Sequence, residues 1–463
     1  MLRLFDTFLP RRTLVLAITE ALVIVLSLYS ATLPFLNPRP SIGPNYDYDI
    51  SKIFVASSVC LLCMYYYDLY DSPLLGNPRE VMARLVQVLG TTSVILALMY
   101  YVYPRIELRR STLLLGIVLV GACLALWREL FFVLNRSPHL VERAILLGDG
   151  PLSRSLAREI GVRPELGVRL VGYLGQSANS SDVLPGLGHL GGLDALGELA
   201  ATRRIDRVIV TMSDSRGRLP VELLLRLKTQ GVRIQDGADV YEAVTGKVPL
   251  ASLRLSWLLF SPGFTVSPAV RVYKRTFAIL GSLIVLVLAW PLMLLIGIAI
   301  RLDSEGPVIF RQQRMGQNGK IFVAYKFRSM RHGLQGESAY RAAQKNDDRV
   351  TRVGRWLRRT RLDELPQLFN VLRGDIDFVG PRPFVPEQER ELMEKIPFYP
   401  QRLSIKPGVT GWAQVNRGYC ETIEDNKEKL AYDLFYIKNV SVALDMLIMF
   451  STVKTLLLGR GGR

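Results

Sequence analysis

The chain has 463 residues, 49% of them apolar, and carries 58 Lys and Arg against 41 Asp and Glu for a formal charge of +17. A mean hydropathy of +0.22 excludes a disordered chain. The 37 Gly and four Cys exclude collagen-like and disulfide-rich secreted classes. A chain both apolar and basic keeps the two characters in separate blocks, and a purely soluble enzyme is not expected. The positive charge is concentrated: Arg271 to Arg382 holds 20 Lys and Arg against 9 Asp and Glu, a surplus of 11. Such a surplus suits an anionic membrane surface or a phosphorylated substrate. No zinc-finger spacing, basic-leucine heptad or RNP-like aromatic pattern accompanies it, so no nucleic-acid partner is expected.

Four apolar stretches fill the first third, at residues 13–35, 53–67, 85–103 and 112–134. A spanning helix needs about 20 residues, so each is a candidate, the second only with its flanks. Tyr65, Tyr66, Tyr67, Tyr100, Tyr101, Tyr103 and Trp127 lie near their ends, where an interfacial aromatic belt would stand. Loop charges are nearly balanced, so the positive-inside rule leaves the orientation open. Cys60 and Cys63 form a C-x-x-C inside an apolar run, which predicts packing and not redox or zinc chemistry. Cys123 is also in an apolar run and Cys420 stands alone. With only His139, His189 and His332, any metal is expected to be a hard cation held by carboxylates.

From about His139 the pattern becomes soluble α/β. Strands are predicted at 144–147, 169–174, 207–211 and 231–235, alternating with helices at 152–160, 195–202 and 220–230. That alternation predicts a parallel, doubly wound, Rossmann-like sheet. The turn Gly148-Asp149-Gly150 approximates a dinucleotide fingerprint, with Ser153 at the third glycine position. No Tyr-x-x-x-Lys follows, which argues against one reading of the four spans and this turn, a membrane-tethered nucleotide-sugar dehydratase or epimerase. A non-enzymatic membrane scaffold is another.

A fifth apolar stretch, 278–300, contains Pro291 and has basic residues at both ends: Lys274 and Arg275 before it, Arg301, Arg311 and Arg314 after it. An interior proline removes a helix hydrogen bond, and basic flanks favour keeping both ends on one side. The expectation is a re-entrant helix–break–helix, residues 274–302. The final stretch, 440–458, is apolar but interrupted by Asp445 and Lys454; an interfacial amphipathic helix and a core helix both stay open.

The segment after the hairpin is dense in motifs. It contains Gly306-Pro-Val-Ile-Phe-Arg311-Gln-Gln-Arg314-Met-Gly316, Tyr325-Lys326-Phe-Arg328-Ser-Met330 and Asp348-Arg-Val-Thr-Arg-Val-Gly354. Then come Arg358-Arg-Thr-Arg361-Leu-Asp363-Glu364-Leu-Pro366-Gln-Leu368, Gly374-Asp-Ile-Asp377-Phe-Val-Gly380-Pro-Arg382-Pro383 and Lys406-Pro-Gly-Val-Thr410-Gly-Trp412-Ala-Gln-Val-Asn416. Asp363 and Glu364 sit among Arg358, Arg359 and Arg361, just before a helix with Pro366 in its first turns. Nearby arginines favour ionised carboxylates, which suits a nucleophile or a magnesium ligand and not a general acid. Helix capping with surface ion pairs is the plainer reading of the same dipeptide.

On these motifs, residues 271 to about 460 resemble the bacterial sugar transferase family of monotopic phosphoglycosyl transferases. The whole chain resembles the long form of that family, and more narrowly its exosortase-associated exopolysaccharide type. The resemblance implies a membrane α-helical bundle (1–136), a Rossmann-like nucleotide-binding-like domain (137–262) and a mainly α catalytic domain (263–463). It implies transfer of a sugar 1-phosphate from a UDP-sugar to undecaprenyl phosphate at the inner membrane, with the soluble domains facing the cytoplasm. Asp363 would be the nucleophile and Glu364 a ligand of Mg²⁺. Arg382, Arg311, Arg314, Lys326 and Arg328 would bind phosphate groups, Thr410 would shape a turn beside them, and Pro291 would break the membrane helix. Two departures stand out: Trp290 precedes that proline where a small residue is usual, and Asp377 adds a carboxylate. Whether the chain forms a homodimer, and which sugar it uses, stay open.

Overall fold

The computed structural model describes residues 2–4, 7–9, 11–33, 50–70, 78–135, 141–163, 166–175, 186–202, 205–212, 219–253, 261, 263–331, 349–417 and 422–457. His139, His332, Asp348 and Cys420, named above, and the last residues of the stretches 13–35 and 440–458 lie outside these residues. Apart from its first seven residues, the chain divides into two compact units, Phe8–Thr245 and Gly246–Arg463.

The first unit begins with four apolar helices: α1 (Arg11–Thr32), α2 (Ile50–Tyr66), α3 (Pro78–Val102) and α4 (Arg110–Asn135). Three are long and apolar enough to cross a membrane, as is the Pro268–Asp303 helix of the second unit, while α2 has 17 residues. These features make the chain a membrane protein. Ile24, Leu28, Ile53, Cys60, Met64, Val88 and Leu124 pack between the helices, whereas Leu22, Leu26, Val86, Leu98, Leu114 and Leu126 are exposed, as lipid-facing positions would be. Cys60 and Cys63 are buried free thiols. Trp127, expected in an interfacial belt, donates from Nε1 to Thr19 Oγ1 at 3.0 Å and so ties α4 to α1. The same helices share a buried ion pair, Arg128 Nε to Glu20 Oε1 at 2.6 Å. A charge in an apolar span is tolerated when paired this way.

The α/β part of this unit contains β1 (Glu142–Leu147), α5 (Pro151–Gly161), β2 (Val168–Leu174), α6 (Leu196–Thr202), β3 (Arg207–Val210), α7 (Val221–Thr229), β4 (Arg233–Asp236) and α8 (Gly237–Thr245). The strands form one parallel sheet in the order β2-β1-β3-β4. Alternate residues face opposite sides. Ala144, Leu146 and Ile209 pack on α5 and α8, and Ile145, Leu147 and Val208 pack on α6 and α7. Both faces are therefore covered, and the central strands β1 and β3 carry the apolar runs 144–147 and 208–210 that such burial requires. Ser153 is fully buried. Its Oγ donates to Gly148 O at 2.8 Å and lies 2.6 Å from Thr211 Oγ1, joining the turn after β1 to the end of β3.

The second unit contains α9 (Pro268–Asp303), the antiparallel hairpin β5 (Ile309–Met315) and β6 (Ile321–Phe327), α10 (Arg352–Thr360), α11 (Gln367–Arg373), β7 (Asp377–Val379), α12 (Pro386–Lys395), β8 (Gly408–Thr410), α13 (Trp412–Asn416), α14 (Ile423–Lys438) and α15 (Val442–Leu457). The sequence predicts two helices meeting at Pro291; the structure has one 36-residue helix that continues through it. An interior proline removes one bond from the ladder and crowds the carbonyl four residues before it, which bends a helix without having to end it. Both ends of α9 pack on the soluble part of this unit. Ala278 meets Val371 and Ile376, and Ile296 and Ile300 meet Phe327 and Leu357. Between these ends Ile284, Val287, Leu288, Trp290 and Leu295 are exposed. In α15, Leu444 and Ile448 are buried against Tyr436 and Val379, while Phe450 and Val453 face outward. Its Asp445 is buried and pairs with Lys274 of α9 at 2.9 Å.

Candidate active site

The motifs of the second unit meet through close backbone contacts that their glycines permit. Gly354, in the first turn of α10, lies so close to Ser329 of the hairpin's exit that a Cβ would strike the Ser329 carbonyl. Gly380 and Gly408 face each other across the parallel pair β7–β8, and a Cβ on either would strike the other segment's backbone. Gly380 N donates to Thr410 O at 2.9 Å and Gly408 N to Pro381 O at 3.0 Å. Distant motifs are thereby fused into one platform.

Asp363 and Glu364 lie on a 3₁₀ turn, Leu362–Glu364, between α10 and α11. Arg361 precedes it in the left-handed region with φ 60°, ending α10 and redirecting the chain. A non-glycine residue there costs about 1–2 kcal/mol, so the turn's shape is imposed by its surroundings. Glu364 Oε1 accepts from Arg382 Nη2 at 2.9 Å and from Lys326 Nζ at 3.0 Å, with Arg361 Nη1 at 3.8 Å. Burial opposes ionisation of Glu364, but Arg382, Lys326 and Arg361 together outweigh it and hold its carboxyl well below the usual range. Asp363 behaves differently. It is 9% exposed, and its Oδ1 is a buried acceptor that receives no hydrogen bond. Burial pushes its carboxyl up, helped by the like charge of Glu364 and opposed by Lys326, Arg361 and Arg358. The sequence expectation of two carboxylates held ionised by arginines thus describes Glu364. In Asp363, desolvation wins.

The hairpin sorts the basic residues. Arg314 pairs with Phe322 and Lys326 with Phe310, so both project from one face; Arg311 pairs with Tyr325 and projects from the other. Lys326 is bound to Glu364, and burial lowers its ammonium's pKa. Arg314 donates to Pro383 O at 3.1 Å, and burial beside Arg382 pushes its pKa down to about 10. Arg311 instead lies 5.9 Å from the centre of the Tyr325 ring, in an open groove of about 550 Å³ lined also by Ile309, Phe369 and Arg373. Arg328 is buried away from Glu364 and donates to Ser304 O at 2.6 Å and Ile300 O at 3.3 Å, closing the C-terminal end of α9. Thr410 Oγ1 lies 2.6 Å from Thr452 Oγ1, and Trp412 donates to Gly246 O at 2.8 Å while stacking on Phe435. Asp377 is 4.0 Å from Lys274, in the cluster with Asp445. Of the residues singled out in the sequence, Asp363, Glu364, Lys326, Arg382 and Arg314 are brought together. Arg311, Arg328, Thr410 and Asp377 stand elsewhere.

A divalent cation fits this turn to the extent that Asp363 offers an unpartnered buried oxygen beside a second carboxylate. Mg²⁺ commonly takes one or two carboxylates and completes its shell with substrate phosphate oxygens. Among the described residues, no group of three or more His, Cys, Asp or Glu side chains could hold a metal alone. Sequence reasoning missed Arg402, whose buried guanidinium reaches the carbonyl of Arg382. It lies outside the motifs, and nothing local connects it with Glu389 and Asp433, its partners.

Comparison with known proteins assigns residues 269–459 to the bacterial sugar transferase family and residues 66–235 to a CoA-binding domain. The UDP-N-acetylgalactosamine-undecaprenyl-phosphate N-acetylgalactosaminephosphotransferase of Aeromonas hydrophila is 43% identical over 229 residues, 49% of this chain and 52% of that protein. This chain therefore matches about half the length of that relative. The undecaprenyl-phosphate glucose phosphotransferase of Komagataeibacter xylinus is 34% identical over 379 residues, 79% of this chain and 68% of that protein. The UDP-glucose:undecaprenyl-phosphate glucose-1-phosphate transferase of Xanthomonas campestris pv. campestris is 33% identical over 349 residues, 73% of this chain and 71% of that protein. With its motifs joined around Asp363 and Glu364 and its likeness extending well beyond them, this chain belongs to the bacterial sugar transferase family.

Proposed function

We propose that this protein transfers a sugar 1-phosphate from a UDP-sugar to undecaprenyl phosphate, releasing UMP and forming undecaprenyl-diphosphate sugar, the first lipid-linked product of an exopolysaccharide or related glycan. The observation that carries the reading is the division of labour at the 3₁₀ turn: Asp363 keeps a buried oxygen free while Glu364 is neutralised by Lys326 and Arg382. In its ionised form, Asp363 attacks the β-phosphorus. The bond from that phosphorus to the UMP oxygen breaks, and an acyl phosphate to the sugar phosphate forms. An oxygen of the lipid phosphate then attacks the same phosphorus and releases the Asp363 carboxylate. Splitting the transfer in two lowers the barrier of each step.

Arg382, Lys326 and Arg314 surround the turn with positive charge, so a diphosphate arriving there meets compensating charge without rearrangement of the fold. Asp363 and Glu364 would hold a magnesium ion, which when bound neutralises charge on diphosphate oxygens. Purified wild-type protein, incubated with undecaprenyl phosphate and a panel of UDP-sugars, should release UMP with one or more of them. No release with any of the panel overturns the reading.

The exposed apolar middle of α9 and its two ends packed on one soluble unit support a re-entrant helix, dipping into the bilayer and returning. UDP-sugars are cytosolic substrates, so both ends belong on the cytoplasmic face of the inner membrane. Arg271→Cys and Glu305→Cys, each in a background without native cysteines, should label with a membrane-impermeant thiol reagent from the same side of oriented vesicles. Labelling from opposite sides would show a full span.

A further inference from the structure

The loop 379–384 delivers Arg382 to Glu364, and buried and half-buried groups hold its carbonyls along its length. Lys274 Nζ donates to Val379 O at 3.0 Å, Arg314 Nη1 to Pro383 O at 3.1 Å, and Met315 N to Phe384 O at 3.0 Å. At the centre, Arg402 Nη2 donates to the carbonyl of Arg382 itself. We propose that Arg402 is a positioning residue for Arg382: its guanidinium, aimed by Glu389 and Asp433, sets where the Arg382 side chain meets the Asp363–Glu364 turn.

Arg402 is 2% exposed, and every arm of its fork is used. Nε donates to Asp433 Oδ2 at 2.7 Å and Nη1 to Glu389 Oε1 at 2.7 Å, and both carboxylates are themselves buried. The guanidinium also lies 4.8 Å from the Phe384 ring centre and 5.6 Å from that of Tyr399. The guanidinium is planar, so fixing two of its nitrogens fixes the direction of the third. That third nitrogen meets the backbone of the residue whose side chain reaches Glu364 at 2.9 Å. Stability alone does not account for the arrangement. Burying one cation with two carboxylates desolvates three charges, and apolar side chains of similar volume often serve stability as well or better. Directional control of a loop is what the charged cluster adds.

The inference rests on the proposed transferase reading for its kinetic assay, and a second measurement frees it from that dependence. Arg402→Lys keeps the cation between Glu389 and Asp433 but lacks the rigid fork. In the UMP-release assay it should lower kcat/KM for the UDP-sugar about 10- to 100-fold, the scale of a small misplacement of a binding group. In an Arg382→Ala background the same substitution should lower it no further, because the positioned group is already gone. Amide hydrogen exchange should quicken selectively in the segment holding Arg382 and Phe384. Equal fold losses in both backgrounds would overturn the proposal, as would unchanged exchange in that segment, which is informative even if the wild type releases no UMP. Should Arg402→Lys fail to fold, Asp433→Asn, which keeps Arg402 and loosens one of its anchors, is carried through the same cycle with the same criteria.

Discussion

Asp363→Asn should abolish UMP release from a UDP-sugar, by roughly 10⁴-fold or more, while leaving the folded protein as stable as the wild type or slightly more so. The first half follows from losing the proposed nucleophile: an amide oxygen carries no full negative charge and cannot form the acyl phosphate. The second half follows from the sign of the shift. Burial raises the Asp363 carboxyl above its ordinary value of 3.8, so the folded chain holds this proton more tightly than the unfolded chain does. Its contribution to stability therefore falls as pH rises from that ordinary value through the raised one. Above the raised value the ionised, buried Asp363 costs stability, and a neutral amide relieves that cost. Thermal unfolding measured beside UMP release separates the two effects. A variant that retains near-wild-type release would remove Asp363 as nucleophile, and one that loses activity together with its fold would make the residue structural.

Glu364→Gln is expected to be the next most damaging change, with a signature in pH. The carboxylate is 10% exposed at its side chain and neutralises Lys326 and Arg382, whose side chains are 20% and 29% exposed. Removing it leaves two partly desolvated cations facing each other, a loss on the order of 2 kcal/mol once solvent screening at Arg382 is allowed for. Because the folded carboxyl lies well below its ordinary value of 4.5, that stability is present above pH 4.5 and is lost only as pH falls through the depressed value. Activity should drop about 10²- to 10³-fold through disordered phosphate-binding groups. The pH profile of the remaining kcat/KM carries the sharper test. In the wild type, the rate should climb with pH through the range above 3.8 as Asp363 ionises. In Glu364→Gln, a like charge disappears and two cations are freed to favour the Asp363 carboxylate, so the acid limb should move to lower pH. A limb that stays in place or moves upward would mean that these groups do not set the ionisation of Asp363.

Much of the architecture was legible in the chain because it depends on local pattern. Apolar runs of spanning length appear as α1, α3, α4 and α9. Alternating strand and helix signals appear as the four-stranded parallel sheet. The expected strand at 144–147 lies within Glu142–Leu147, and the expected helix at 152–160 within Pro151–Gly161. What periodicity could not supply was the fate of Pro291. The residue demands the loss of one hydrogen bond, but whether a helix breaks or continues depends on the neighbours that hold its two ends. Here the ends are held by Val371 and Ile376 on one side and by Phe327 and Leu357 on the other.

The candidate site shows the same division at finer scale. The order of the motifs, through the family they resemble, pointed Asp363, Glu364 and a set of cations toward phosphate chemistry, while the dipeptide alone reads more plainly as a helix cap with ion pairs. Which cations take part was decided by the tertiary structure. Strand alternation turns Arg314 and Lys326 to one face and Arg311 to the other, while Arg328 caps α9. Burial likewise separated two adjacent acids that look equivalent in the chain, leaving Glu364 paired and Asp363 with a free oxygen. The +17 charge of the sequence thus pointed to an anionic partner, and only the fold, through strand alternation and burial, decided which of those charges stand together.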